Sequence, residues 1–256
     1  MSFILKRFNS TSSLSSPSLI GKTAVVTGGS RGLGLHIAKK LSEQGASIIL
    51  VSRQKDVLRH NLKHELSIIS NNQEHGYIQC DLSDTGSIYE TFLSANQLKK
   101  ASILINCAGV SQNSLLFSTP SSLVSKIIDT NLTSSIILSQ ILLKQLMKNS
   151  PSSIINISSV LGLKGFKGTS VYSASKAGIV GFTRALAVEM GSKKIRVNSI
   201  SPGLIKETEM GKGLHYDNAL QKEGVPLNDI SNTVLYLLEN ESITGQNIVV
   251  DNGIVI

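Results

Sequence analysis

From Lys22 onward, short apolar runs alternate with longer helix-forming stretches, and this alternation restricts the fold more than any other feature of the chain. The runs are Thr23–Thr27, Ala46–Val51, His75–Cys80, Ser102–Asn106, Ser153–Ile157, Ile195–Ile200 and Gln246–Val250. Apolar residues fill successive positions in them, the pattern of strands covered on both faces. The stretches Gly32–Gln44, Gln54–Ser70, Asp84–Lys99, Ser121–Lys148, Tyr172–Met190 and about Asp229–Asn240 predict helices. Seven strands joined through helices imply an α/β fold, a doubly wound parallel sheet with helices on both faces. Right-handed crossovers then put the ligand crevice beyond the carboxyl ends of the strands. The 256 residues suffice for one such domain, predicted over 20–256, with a core that needs neither a disulfide nor a metal. No internal repeat and no second domain is visible.

The first predicted strand runs straight into Thr27-Gly28-Gly29-Ser30-Arg31-Gly32-Leu33-Gly34, which opens the first predicted helix. A helix N-terminus presents unpaired N–H groups and a partial positive charge, suited to a pyrophosphate. Glycine at 28, 32 and 34 lets the backbone turn tightly and approach a ligand with no Cβ in the way. The spacing is Gly-x3-Gly-x-Gly, not Gly-x-Gly-x-x-Gly. Alone, such a turn also suits an ordinary strand-to-helix corner; its place after the first of seven strands points to a nucleotide. The second strand ends Val51-Ser52-Arg53, without the acid that would take a ribose 2′-hydroxyl. Arg31 and Arg53 would instead pair a 2′-phosphate, so NADP(H) is expected over NAD(H).

Tyr172-Ser173-Ala174-Ser175-Lys176 follows the serine pair Ser158-Ser159. Residues four apart on a helix share a face, so the Tyr172 hydroxyl and the Lys176 ammonium reach one bound molecule together. A phenol titrates near ~10, too weak an acid for useful work at neutral pH. A cation about 4 Å away stabilises the phenolate by up to ~4 kcal/mol at an effective dielectric near 20, lowering the pKa by as much as ~3. The pair is thus a tunable proton donor. By itself it also suits a solvated helix face.

The first acidic residue is Glu43, and residues 1–19 are Ser-rich and carry Lys6 and Arg7. Such a segment is similar to a mitochondrial presequence, with Phe3-Ile4-Leu5 and Phe8 as an apolar face; an ordinary disordered Ser-rich tail is the other reading. In both cases 1–19 is expected to lie outside the fold, and the location to be the mitochondrial matrix, or the cytoplasm if the tail is only a tail. Cys80 and Cys107 end apolar runs and read as buried free thiols of a reducing compartment. No apolar run reaches the length of a bilayer span, so a soluble protein is expected. The net charge of +8 is spread without a basic block, which suits an acidic carrier or a phosphorylated ligand as well as nucleic acid, and nucleic acid is not the expected partner.

Taken together, these motifs resemble the short-chain dehydrogenase/reductase family over about residues 21–256, and a Rossmann-like fold follows from the resemblance. Thr27–Gly34 is similar to its Thr-Gly-x3-Gly-x-Gly turn, Asp81-Leu82 to its adenine contact, and Asn106-Cys107-Ala108-Gly109 to its Asn-x-Ala-Gly motif. Pro202-Gly203 resembles the segment that shapes the nicotinamide pocket, with Ile205 beside the carboxamide. The resemblance implies cofactor contacts from Gly28, Ser30, Arg31, Gly32, Leu33, Gly34, Arg53, Asp81, Leu82, Asn106, Ala108, Gly109, Tyr172, Lys176, Pro202, Gly203 and Ile205. It implies a catalytic tetrad of Asn131, Ser159, Tyr172 and Lys176, with no metal. Tyr172 would give the proton, Lys176 lower its pKa and hold the ribose, Ser159 hold the carbonyl, and Asn131 anchor a water leading to Lys176. The thirteen-residue step back from Tyr172 selects Ser159 over Ser158.

Within the family, Val171–Gly178, Lys194–Asn198 and Ser201–Gly203 most resemble the 3-oxoacyl-[acyl-carrier-protein] reductases, with Leu161–Gly165 and Ile243–Gln246 pointing to the mitochondrial type. The implied reaction is NADPH-dependent reduction of a 3-oxoacyl group in type II fatty acid biosynthesis. An acidic carrier protein would be steered by Lys148, Lys193 and Lys194, which are otherwise scattered solubility lysines. The alternatives are a carbonyl or quinone reductase acting on free small molecules, and a nucleotide-binding regulatory subunit. Helices 121–148 and 172–190 are the family's usual interfaces, implying a homo- or hetero-tetramer. Two departures from the resembled family stand out: Thr208 falls about one residue late for its cofactor contact, and about six residues common in relatives are missing between Pro226-Leu227 and the last helix, implying a shorter lid over the substrate.

Overall fold

The computed structural model describes residues 18–214 and 217–255. Its elements run β1 (Thr23–Thr27), α1 (Gly32–Glu43), β2 (Ser47–Ser52), α2 (Lys55–His64), β3 (Gly76–Gln79), α3 (Thr85–Leu93), β4 (Ala101–Asn106), α4 (Ser121–Ile128), α5 (Ser134–Lys148), β5 (Ser152–Ile157), α6 (Ser170–Met190), β6 (Ile195–Pro202), α7 (Leu227–Glu239) and β7 (Asn247–Val250). The seven strands pair in the order β3-β2-β1-β4-β5-β6-β7, every pair parallel. The order reverses between β1 and β4, and the crevice beyond their carboxyl ends is where this class of sheet takes ligands.

The continuous apolar runs are explained by two cores, one on each face of the sheet. Ala24, Val26, Ile48, Leu50, Ile103 and Ile105 pack with Ile37 and Leu41 of α1 and Val234 and Leu237 of α7. The intervening Val25, Ile49, Val51, Leu104 and Ile154 pack with Phe92 of α3, Leu138 and Leu142 of α5 and Leu186 of α6. Since strand side chains alternate in direction, the middle positions of a central strand are apolar on both faces, and the polar residues of β4 and β5 stand toward the strand ends, where Asn106 and Asn156 hydrogen-bond each other. Each such Leu, Ile or Phe contributes roughly 1.5–3 kcal/mol by leaving water. Among the described residues, no helix is long and apolar enough to cross a membrane.

Several element boundaries differ from the sequence expectation because tertiary hydrogen bonds replace local ones. The helix expected over Gln54–Ser70 ends at His64, and the chain after it is held by Gln73, whose Nε2 donates to the carbonyls of Ser42, Ala46 and Ser67. The helix expected to reach Lys99 stops at Leu93 and continues as a 3-10 segment, Asn96–Lys100. The expected Ser121–Lys148 helix is divided into α4 and α5 by a π turn, Asp129–Thr133. The last helix starts at Leu227, directly after Pro226.

The presequence-like segment falls on residues 1–17, outside the described residues, except for its last two positions. There the boundary moves: Leu19, expected in the tail, is only 5% exposed, donates its N–H to the Gln44 carbonyl and joins the core of α1 and α7. Leu19→Ala is expected to lower the unfolding free energy by about 2–5 kcal/mol, read as a fall in the urea midpoint at unchanged slope.

Candidate active site

Helix α1 begins at the glycine turn with Arg31 as its N-cap. No side chain caps it and no acid lies in its first turn, so its leading N–H groups face the crevice without a local partner. Gly28 has φ +70°, and a Cβ there would stand 3.1 Å from the Ala108 Cα; a Cβ on Gly34 would stand 2.4 Å from the Gly28 carbonyl oxygen. Both glycines are required by contact of backbone with backbone. Thr27 ties this turn to β4, its hydroxyl oxygen accepting the N–H groups of Cys107 and Ala108 at 2.9 and 3.0 Å. Asn61 of α2 is a residue that motif reading missed. It is buried and donates to the carbonyl of Ser30 at 2.9 Å, pinning the turn that carries Arg31.

Arg53 and Asp81, which follow the carboxyl ends of β2 and β3, meet each other. They form a half-exposed pair at 3.9 Å, worth about 0–1 kcal/mol and easily given up to a ligand. Burial opposes the Asp81 charge, but the Ser83 N–H and hydroxyl, with Arg53 and Lys126 nearby, outweigh it and hold the carboxyl below its ordinary value. Leu82 is buried in the core under α3 and α5. Asn106 donates to Asn156 Oδ1 at 2.8 Å and Asn156 to Thr183 at 2.9 Å, which locks the ends of β4 and β5 to α6.

Lys176 lies one turn after Tyr172 on α6, with its Nζ 5.8 Å from the Tyr172 ring centroid. It is only 4% exposed and donates to the Ile157 carbonyl at 2.8 Å. A Cβ on Gly109 would stand 3.6 Å from this ammonium and 3.4 Å from Asn131 Oδ1, so the bare glycine keeps both polar atoms open to the crevice. Burial drives Lys176 down to about 8. The neighbouring Cys107 thiol, pushed up to about 12 by its own burial, is neutral below that and supplies no compensating charge.

The two serines separate by their bonds. Ser158 is buried and spends its hydroxyl proton on the Lys176 carbonyl at 2.7 Å. Ser159 caps the 3-10 turn Val160–Gly162, its oxygen accepting the Leu161 N–H at 3.1 Å, which leaves its proton for a ligand. That turn sits hard against α6: a Cβ on Gly162 would stand 2.7 Å from the Lys176 carbonyl carbon. Asn131 is presented by the π turn, a distortion frequent at functional sites. Its two amide protons go to the Val110 carbonyl at 3.0 Å and Ser175 Oγ at 3.1 Å, and its oxygen accepts the Val110 N–H at 2.8 Å. The expected water-anchoring role is therefore not one for the amide protons; the side chain clamps the strand β4 exit to α6.

Pro202 ends β6, and Gly203 follows in contact with Asp251, where a Cβ would stand 2.8 Å from the Asp251 Cα. Ile205 is buried in the core beside α7 and gives its carbonyl to the Thr208 hydroxyl at 2.8 Å. Thr208 turns its methyl toward Gly32. The one-residue displacement thus leaves Thr208 over the glycine turn with its hydroxyl already bonded.

Lys148, Lys193 and Lys194 are not at this site, which corrects their assignment as a docking rim. Helices return antiparallel to the strands, so their carboxyl ends, where these lysines stand, face away from the crevice. The 21 residues of α6 put Lys193 roughly 30 Å from Tyr172 at ~1.5 Å per residue, and the Lys194 carbonyl accepts the Ser152 N–H at the start of β5. Exposed cations beside the crevice include, besides Arg31 and Arg53, Lys164 and Lys167 in the loop entering α6 and Lys212 beyond β6.

The Lys176 charge also sets a pH dependence. Its folded pKa of about 8 lies below its ordinary 10.5, so between those values the unfolded chain binds more protons, and stability rises with pH. The cofactor-free protein is expected to gain about 3 kcal/mol from this group across that window, a gain absent in Lys176→Met when both are melted over the pH series.

The chain matches the short chain dehydrogenase family over residues 22–219. It is 36% identical over 241 residues to a Bos taurus protein named 3-oxoacyl-[acyl-carrier-protein] reductase, covering 91% of this chain and 98% of the relative. It is 36% identical over 242 residues to carbonyl reductase family member 4 of Danio rerio, covering 92% and 98%. A solved structure, 4-hydroxyisoleucine dehydrogenase complexed with NADH, superposes with a TM-score of 0.80 at 31% identity, covering 91% of this chain and 98% of that one. With the glycine turn, the seven-stranded order and these relatives in agreement, the chain belongs to the short-chain dehydrogenase/reductase family of oxidoreductases.

Proposed function

We propose that this protein reduces the keto group of a 3-oxoacyl thioester borne by acyl carrier protein to the 3-hydroxyacyl form, using NADPH, in mitochondrial type II fatty acid biosynthesis. The observation that carries the reading is the Tyr172–Lys176 pair on one face of α6, with the turn that Ser159 caps packed against the same helix, in a chain 36% identical to a protein named for that activity. A dinucleotide suits the residues present. The uncapped, acid-free N-terminus of α1 suits a pyrophosphate. The Lys176 ammonium, with one described hydrogen bond, has protons left for ribose hydroxyls. Solved structures of a 4-hydroxyisoleucine dehydrogenase complexed with NADH support the dinucleotide, and Arg31 and Arg53, with Ser52 where an acid would stand, favour the 2′-phosphorylated form.

When bound, the reduced nicotinamide supplies the hydride. The Tyr172 hydroxyl then donates the proton to the ketone oxygen. Lys176 stabilises the phenolate left behind, and the Ser159 hydroxyl donates a hydrogen bond to the oxygen as its charge develops. Exposed apolar side chains on the loops that border the crevice, Leu115, Leu116 and Phe117 on one side and Met210, Leu214 and Leu220 on the other, suit an acyl chain. Lys164, Lys167 and Lys212 are positioned to steer an acidic carrier. The faces of α5 and α6 with exposed Ile136 and Val188 suit subunit contacts of a tetramer. The relative named carbonyl reductase family member 4 favours a second reading, reduction of free carbonyl or quinone compounds by the same residues.

Acetoacetyl-carrier protein with NADPH is expected to give a kcat/KM at least about tenfold above that with a free quinone, a discrimination of ~1.4 kcal/mol, and above that with NADH. Equal efficiencies with the two cofactors would refute the roles of Arg31 and Arg53. Tyr172→Phe is expected to lose about 10²–10⁴-fold in kcat while the NADPH Kd, measured by fluorescence titration, is unchanged.

A further inference from the structure

Tyr172 is the third residue of α6, inside the first turn, where helices fray and where N–H groups have no partner within the helix. The N-cap residue Thr169 does not supply one. Its side chain makes no cap bond and instead donates to the Phe166 carbonyl at 2.8 Å. The Val171 and Tyr172 N–H groups are met from outside the helix, by a single oxygen. Gln112 Oε1 accepts them at 2.8 and 3.2 Å. The other end of the same amide is equally occupied, Nε2 donating to the Ser114 carbonyl at 3.0 Å and to Thr119 Oγ1 at 3.2 Å. The side chain is only 5% exposed, so these bonds are made away from water. A neutral amide is suited to this place: it accepts toward the helix and donates toward the loop, with no charge to desolvate.

We infer that Gln112 is a positioning residue for Tyr172, capping α6 across the crevice wall and fixing the hydroxyl of the proton donor relative to Lys176 and Ser159. The Tyr172 N–H and its phenol share one Cα, so a shift of the first turn moves the hydroxyl while the buried Lys176, a turn further on, stays in place. Reaction geometry tolerates little of this, since a displacement of about 1 Å can cost on the order of 10²-fold in rate. The amide also joins Tyr172 to loop 113–119, whose Phe117 is 88% exposed. Contact of a substrate with that loop is thereby transmitted to the donor.

The inference rests on the donor role proposed for Tyr172, and two variants of the full chain separate the two ideas. Gln112→Met keeps the length and packing but removes the acceptor; Gln112→Glu keeps an accepting oxygen. In Gln112→Met, hydrogen exchange in the segment 170–173 is expected to quicken by about tenfold or more, as loss of a protecting hydrogen bond implies. Its kcat on acetoacetyl thioester is expected to fall at least about tenfold, with the NADPH Kd and the thioester KM within about twofold and most of kcat restored in Gln112→Glu. Unchanged exchange in Gln112→Met overturns the capping role. So does a joint loss of turnover and NADPH affinity without recovery in Gln112→Glu, which would mark general damage to the fold. If Tyr172→Phe keeps its turnover, the donor reading fails instead, whereas an inactive Tyr172→Phe beside an unimpaired Gln112→Met sinks only the positioning role.

Discussion

A buried ammonium with no anion beside it is the constraint around which the crevice is organised. Lys176 is held at 4% exposure by a single described carbonyl, and burial alone lowers its pKa to about 8. Such a charge is costly to keep, and its surroundings are arranged to keep it without quenching it. Gly109 leaves its front open, the Cys107 thiol beside it stays neutral, and Ser158 bonds its main chain and not its ammonium. A carboxylate in place of the thiol would stabilise the charged form of Lys176, but it would also compete for the charge that the proposed function assigns to a phenolate and a ribose hydroxyl.

The same economy of contacts extends outward. Backbone approaches backbone at Gly28 against Ala108 and at Gly162 against α6, so the glycine turn, the β4 exit and the serine turn are set against one another without intervening side chains. Asn131, Asn61 and Gln112 then take the backbone groups these close approaches leave unpaired, each with a buried neutral amide. Buried amides are economical here because they accept and donate at once and bring no further net charge beside the buried ammonium.

Much of this was legible in the chain. The doubled apolar runs announced strands covered on both faces, and the two cores hold the apolar residues of β1, β2, β4 and β5. Tyr172 and Lys176 are one helical turn apart and legible as a pair, whereas Ser159 is a candidate through the family resemblance. What escaped notice was of another kind. Leu19 was read as tail because a lone leucine in a Ser-rich stretch has no period to betray it, yet it is core. The break of the 121–148 helix was invisible because Asp129–Thr133 has no Gly or Pro; the π turn is stabilised by the distant Val110. Lys148, Lys193 and Lys194 were misplaced because adjacency to a long helix was taken for adjacency to its functional end.

By itself the sequence determined the family of the fold and its strand count, and through the family resemblance it named Tyr172, Lys176 and Ser159 as candidate reacting groups, because these depend on periodicity and on short motifs. Tertiary structure alone decided what each serine hydroxyl bonds, which end of the sheet a lysine occupies, and that Gln112, sixty positions away, meets the helix of Tyr172. The physical reason is range. Side-chain periodicity acts within a turn or a strand, whereas hydrogen bonds to orphaned backbone groups are made by whatever residue the packing brings near.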